Sequence, residues 1–224
     1  MTDLWKNMGL AWHFVWCGVG SRDVPEPMVP FLVWAGKCMA LLGGVLSTGD
    51  ATGSDQHFLT GYDQGKSETM PPAQIYYTCK KNQRNLTHDP VKGHHEAERY
   101  GTHDASKAMA FKARGSFEGL FESGIGLHSR NPMQVLSHTL EDPVWVVLFY
   151  ARPVGKQGKV DGGTNTAVQV AKMNNIKQVN LYVAEEREKF KTWMIGQLTK
   201  RDIPVPPLVI QEDEIKTSEP QGGS

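Results

Sequence analysis

Leu46-Ser47-Thr48-Gly49-Asp50-Ala51-Thr52-Gly53-Ser54-Asp55-Gln56-His57-Phe58 is the stretch whose reading decides the fold. Short apolar residues precede it, its centre is glycine and hydroxyl, and amphipathic spacing follows, so it reads as a buried strand feeding a helix through a tight turn. A turn of this kind is suited to an anion. Gly49 and Gly53 let the backbone approach a ligand, while the first N–H groups of the helix lack intrahelical partners and carry the positive end of its dipole. The competing reading gives the two glycines nothing beyond a sharp strand-to-helix turn.

Two other stretches share this grammar. Val15-Trp16-Cys17-Gly18-Val19-Gly20-Ser21-Arg22 is an apolar run ending in glycine, serine and a cation, and Asp161-Gly162-Gly163-Thr164-Asn165-Thr166 opens a helix. Three such turns at the carboxyl ends of strands in one parallel sheet converge on one crevice, with phosphate as the natural guest.

Working outward, residues 14–17 read as the first strand. Pro25, Pro27 and Pro30 mark a loop passing into a helix, on which Phe31, Trp34, Cys38, Leu41 and Leu42 form one stripe until Gly43 and Gly44 end it. Residues 45–47 are the second strand, 53–65 its helix, and the β-branched and aromatic run 74–78 the third strand. Residues 79–104 read as polar loop with one short helix at most; a helix follows over 105–122, then a break at 124–126. Ser129, Arg130 and Asn131 precede a helical run beginning at Pro132, and residues 144–150, the most hydrophobic run, predict the central strand. A flexible loop over 155–163, a helix after Thr164, a last strand over 179–182 and a charged helix from Glu185 complete the order.

Strands alternating with helices predict a three-layer α/β domain with a mainly parallel sheet. The expected organisation is that domain over residues 1–182, a C-terminal helix and Pro-rich extension over 183–210, and a disordered tail over 211–224. The 24 basic and 24 acidic side chains cancel, which removes a global field toward nucleic acid or anionic lipid. Cys17, Cys38 and Cys79 are odd in number and widely spaced, as in a reducing compartment. With no signal-type N-terminus and no run of roughly 20 apolar residues, the expected location is the cytoplasm, without membrane contact.

Candidate ligand-binding residues follow from the three turns and from Arg130-Asn131. Arg22 reads either as a fork for a phosphate or as a surface cation closing its loop, and Arg130 either as a phosphate contact beside a base-reading Asn131 or as a structural ion pair. Asp50 and Asp55 suit ribose hydroxyls, with helix capping as the alternative for Asp55; Thr164 and Thr166 divide between phosphate contact and capping. Gly18, Gly20, Ser21, Thr48, Gly49, Gly53, Ser54, Gly162, Gly163 and Asn165 complete the set. His94, His95, Glu96, Glu98, His103 and Asp104 form the only dense group of metal-ligand types, but without metal spacing they read as a solvated loop, so neither metal nor cofactor is predicted. Lys80, Lys81 and Arg84 read as phosphate-backbone contacts or as soluble surface, and the six tryptophans as core with one or two able to stack on a base. Ser21 lacks a glycine two residues on, so no nucleophile elbow is present.

Gly18-Val19-Gly20-Ser21-Arg22, then residues 47–55, Arg130-Asn131 and Gly162-Gly163-Thr164-Asn165-Thr166 resemble the Rossmann-like domain of DprA (Smf) recombination mediators and the wider SLOG superfamily. Over residues 14–182 the order looks most like the stand-alone DprA-like proteins of bacteriophages. The resemblance implies a pocket for a nucleotide-derived ligand or single-stranded DNA over the strand ends, and association into homo-oligomers. A related branch, the LOG-type phosphoribohydrolases, cleaves base from ribose phosphate with a Gly-Gly-any-Gly-Thr motif and a glutamate three residues on. Here Asn165 replaces the third glycine and Gln169 the carboxylate, and an amide is no proton acceptor, so binding is expected rather than hydrolysis unless Asp50, Asp55 or Asp161 substitutes.

Overall fold

The computed structural model describes residues 14–82, 84–155 and 158–208. Six strands form one parallel sheet: β1 (Phe14–Gly20), β2 (Gly44–Gly49), β3 (Gln74–Tyr77), β4 (His94–Glu96), β5 (Val146–Tyr150) and β8 (Lys177–Asn180), in the order β4-β3-β2-β1-β5-β8. The chain therefore steps one way from β1 through β4, then returns to the other side of β1. Cys17 sits in register between Ser47 of β2 and Val147 of β5. A ligand crevice in a sheet of this kind lies where the order reverses, at the carboxyl ends of β1 and β5.

Helices cover both faces. On one side α1 (Val29–Leu41), α2 (Ser54–Gly65) and α6 (Ala184–Thr199) bury Phe31, Leu32, Phe58, Tyr62, Phe190 and Met194 against Trp16, Leu46 and Leu148. On the other, α4 (Glu122–Leu136) and α5 (Thr164–Met173) bury Val135, Leu136, Ala167 and Val170 against Cys17, Val147 and Phe149, with α3 (His103–Arg114) packed on both helices. The three-layer Rossmann-like α/β fold with a C-terminal helix is therefore what the chain adopts. The Pro-rich segment after α6 returns to α1, where Trp34 donates its indole N–H to the Pro206 carbonyl at 3.0 Å.

Four segments differ from expectation. The helix expected over 105–122 ends at Arg114, where Gly115 at φ +94° caps it and residues 115–121 form a connector. Residues 94–96 are not loop but the edge strand β4, paired Tyr76 to His95. The break at 124–126 and the helix start at Pro132 are replaced by one helix, α4, with Pro132 inside it. Interior proline forfeits one helical hydrogen bond; here residues 129–136 are all buried, and that packing outweighs the loss. The loop over 155–163 carries a short antiparallel ribbon, β6 (Pro153–Val154) with β7 (Lys159–Val160). The N-terminal residues before 14 and the tail expected over 211–224 lie outside the described residues. No helix among the described residues is long and apolar enough to cross a membrane.

Candidate functional site

A crevice of about 740 Å³ opens at the switch point. One side is the exit of β1, Gly20-Ser21-Arg22, beside the exit of β5, Tyr150-Ala151-Arg152; the start of α5, Gly162-Gly163-Thr164, continues it. Asp55, Arg130, Asn131 and Gln134 add a buried polar group to the lining, and Leu120, Phe121, Leu127 and His128 also line it. Arg22, Lys81, Arg130 and Arg152 stand against Asp23, Asp55 and Asp161, so the lining carries a small cationic excess.

Nine of the sequence-derived candidates thus meet at one place: Gly20, Ser21, Arg22, Asp55, Arg130, Asn131, Gly162, Gly163 and Thr164. The other eight do not line it, each for a definite reason. Gly18 lies inside the sheet, where a side chain would strike Leu46, Trp16 and Phe58. Thr48 is fully buried and donates to the Gly18 carbonyl at 2.6 Å. Asp50 faces Arg84, whose Nε lies 2.5 Å away, instead of a ribose. Ser54 donates its hydroxyl to the Ser21 carbonyl at 2.9 Å, and Gly53, at φ +80°, backs onto the carbonyls of Ser21 and Arg22. Asn165 accepts from Val160 N–H and from Gln169, both at 3.2 Å. Thr166 shares a hydrogen bond with His128 Nδ1 at 2.7 Å.

The β2–α2 turn, expected to cradle phosphate, is filled by the chain itself. Asp55, in the first turn of α2, folds its carboxylate back to accept from the main-chain N–H groups of Ala51, Gly20 and Gly49, and Ser54 N–H donates to the Ser21 carbonyl at 3.0 Å. Gly49 makes a different contribution from the one expected. A Cβ there would stand 2.5 Å from both Arg130 Nη2 and Asp55 Oδ2 and 2.6 Å from Gln134 Nε2, so only glycine leaves room for these groups over the end of β2. Arg130 and Asn131 sit mid-helix rather than ahead of one. Arg130 Nη1 donates to the Tyr76 carbonyl at 2.6 Å, and Asn131 ties α4 to the α5 turn by donating to the Gly163 carbonyl at 3.1 Å.

Burial sets the protonation states here. It pushes the Asp55 carboxyl up to about 6, although Arg130 and the three main-chain donors favour the anion. It also pulls the Arg130 guanidinium below its ordinary value, against the attraction of Asp55 and Asp50. His128 is lowered to about 4 by burial and then by Arg114, so near neutral pH its ring is uncharged. An anionic guest in this crevice meets Arg22 and Arg152, both exposed, while Arg130 and Asp55 remain buried below. Arg152 also pairs with Asp161 at 2.9 Å.

The polar group after β3 is not a uniform solvated loop. His95 is buried, stacked on Tyr76, with Nδ1 2.5 Å from the Tyr100 hydroxyl and Nε2 2.6 Å from Gln74 Oε1. Cys79, Glu96 and Glu98 bring ligand-type atoms within 4.8 Å of one another, but Glu98 already accepts from Cys79 N–H and Glu96 pairs with Arg99. Lys80 pairs with exposed Glu122 at 2.5 Å. The described tryptophans, Trp16, Trp34, Trp145 and Trp193, are absent from the crevice lining; Trp5 and Trp12 fall outside the described residues.

Sequence reasoning missed Phe121, His128, Gln134, Tyr150, Arg152 and Tyr182, all of which line the crevice. Tyr150 and Arg152 were within reach: they end the central strand, and the strand-end rule applied to β1 and β2 applies equally there. Gln134 and His128 carried no signal, since α4 is buried over its whole second half and shows no single apolar stripe. Comparison of the chain with protein families, with curated proteins and with solved structures gives no match.

Proposed function

We propose that this protein binds a phosphorylated nucleoside-derived ligand in the crevice between the ends of β1 and β5, as a DprA/SLOG-type cytoplasmic protein that sequesters a nucleotide signal in the manner of a phage accessory protein. The observation that carries the reading is the meeting of Ser21, Arg22, Arg130 and the Gly162–Thr164 turn around one cavity of about 740 Å³ at the switch point. That volume falls within the roughly 300–1,000 Å³ of small-molecule sites. The anion end is Arg22, Arg152 and the start of α5; the guest is a small molecule, and association into homo-oligomers goes with the resemblance. Thermal-shift measurement with AMP, ADP-ribose, a cyclic nucleotide and a single-stranded oligonucleotide tests it, because a guest at 100 times its Kd stabilises by about 2.7 kcal/mol. A nucleotide that raises the melting temperature and is recovered intact supports sequestration; no shift with any of them overturns it.

A second reading rests on Asp55. It is a buried carboxyl in the crevice lining, raised to about 6, and on this reading it supplies the acid/base group of an N-glycosidic hydrolase of the LOG type that Gln169 does not. Asp50 does not line the crevice, and Asp161 is exposed and paired with Arg152, which leaves Asp55 as the buried carboxyl of the lining. Release of free base from AMP, lost in Asp55→Asn, decides for hydrolysis. Tight oligonucleotide binding that weakens steeply with salt decides instead for a recombination mediator.

A further inference from the structure

The crevice lining mixes charged and apolar residues, and among the apolar ones is an aromatic ring that the protein itself leaves uncovered. Residues 115–121 join α3 to α4. Of their large side chains, Phe117 is packed, its ring 5.4 Å from Phe111 and 6.3 Å from His128. Leu120 and Phe121 line the crevice instead, and Phe121 is 86 % exposed. The connector is tied down along its length: Gly115 N–H donates to the Phe111 carbonyl as α3 ends, Leu120 N–H to the Phe117 carbonyl, and Ile125 N–H to the Phe121 carbonyl as α4 begins, where Lys80 pairs with exposed Glu122. Phe121 is therefore presented at the crevice mouth from an anchored segment.

The other aromatic rings of the lining are already engaged. Tyr150 is buried and packed against Tyr182 at 5.3 Å, and His128 is hydrogen-bonded to Thr166. An exposed ring in a crevice lining that also carries Arg22 and Arg152 matches a guest that is anionic at one end and flat and apolar at the other. Every nucleobase has such a face.

We propose that Phe121 is the base-stacking residue of this site, selecting guests that carry a heterocyclic base over sugar phosphates that lack one. The inference rests on the phosphate-crevice reading above and adds which part of the guest gives selectivity. The test compares AMP with ribose 5-phosphate by calorimetric titration against the full chain and against Phe121→Ala and Phe121→Trp. Because Phe121 is exposed, both variants keep the parent melting temperature.

The expected result is that Phe121→Ala weakens AMP about tenfold or more and leaves ribose 5-phosphate unchanged, while Phe121→Trp retains AMP. Unchanged AMP affinity in Phe121→Ala overturns the stacking role and leaves the phosphate reading standing. An equal loss for both probes also overturns it, since it shows that Phe121 shapes the crevice rather than recognising a base. Failure of the parent chain to bind either probe removes the phosphate reading and this inference together.

Discussion

Two glycine-rich turns of this protein are spelled alike and end differently. Gly49 to Ser54 leads from β2 into α2, and Gly162 to Thr164 leads from the β6–β7 ribbon into α5. At the first, Ser54 N–H donates to the Ser21 carbonyl; at the second, the N–H groups of Asn165 and Thr166 donate to the Gly162 and Gly163 carbonyls. The first is closed by Asp55 and by the Ser21 carbonyl, while the second lines the crevice. The side chain that closes the first is Asp55, in the first turn of α2, which accepts from the N–H groups of Ala51, Gly20 and Gly49; α5, which opens Thr164-Asn165-Thr166, carries no acid in its first turn. A carboxylate tethered two bonds from the backbone outcompetes a dissolved anion for such main-chain donors. Of these two turns, the one whose helix brings a carboxylate is closed by it and the other lines the crevice.

The largest of these effects is expected at the end of β2, where the closed turn begins. In Gly49→Ala the new methyl meets Arg130 Nη2, Asp55 Oδ2 and Gln134 Nε2, all within 2.6 Å. Overpacking alone costs about 1–3 kcal/mol, and displacing buried charged groups from each other adds to it, so a loss of about 3 kcal/mol or more is expected in urea unfolding. A loss below about 1 kcal/mol shows that the arrangement over the end of β2 is loose and that Asp55 is not confined there.

A middling effect is expected from pH. Asp55, at about 6 when folded against roughly 3.9 unfolded, contributes stability that is present below about pH 4 and lost as pH rises through 6. His95 and His128, each lowered to about 4 by burial from roughly 6.5, act the other way: their contribution is complete above about 6.5 and lost as pH falls toward 4. Two imidazoles outweigh one carboxyl, so stability rises between pH 4 and 6. In Asp55→Asn the opposing carboxyl is gone and the rise steepens. Urea midpoints at pH 4.5, 5.5 and 6.5 measure both slopes; equal slopes in parent and variant show that Asp55 ionises as an exposed carboxyl does.

The same contrast explains what the sequence made legible. The succession of strands and helices follows from apolar runs alternating with glycine- and proline-marked turns, which is backbone information carried by residues such as Gly20 and Gly163. Whether a donor is free depends on where side chains fold back, and that is tertiary information: the string Gly53-Ser54-Asp55 reads equally as a cradle or as a closed clasp. Strand β4 was invisible because His94-His95-Glu96 is short and polar, and only pairing with β3 makes it a strand. Helix α4 was misread because Gly124, Gly126 and Pro132 are breakers by propensity, whereas burial from Ser129 to Leu136 decides the outcome. Arg130 lines the crevice, but it reaches Tyr76 from the middle of α4 and not from a helix start.

The smallest effect is expected at the open turn, and there a null result is informative. Gly163 has an ordinary helical backbone, φ −66° and ψ −25°, and the nearest atom to an added Cβ is His128 Cε1 at 3.9 Å, an ordinary contact. Gly163→Ala is therefore expected to unfold within about 0.5 kcal/mol of the parent, in contrast to Gly49→Ala. Its methyl still projects beside His128 in the crevice lining, so a guest lying against the α5 start loses room while the fold does not. Unchanged stability with weakened AMP binding locates the guest at this turn. Unchanged stability with unchanged binding moves the anion to Arg22 and Arg152 and leaves the α5 start as the wall rather than the seat.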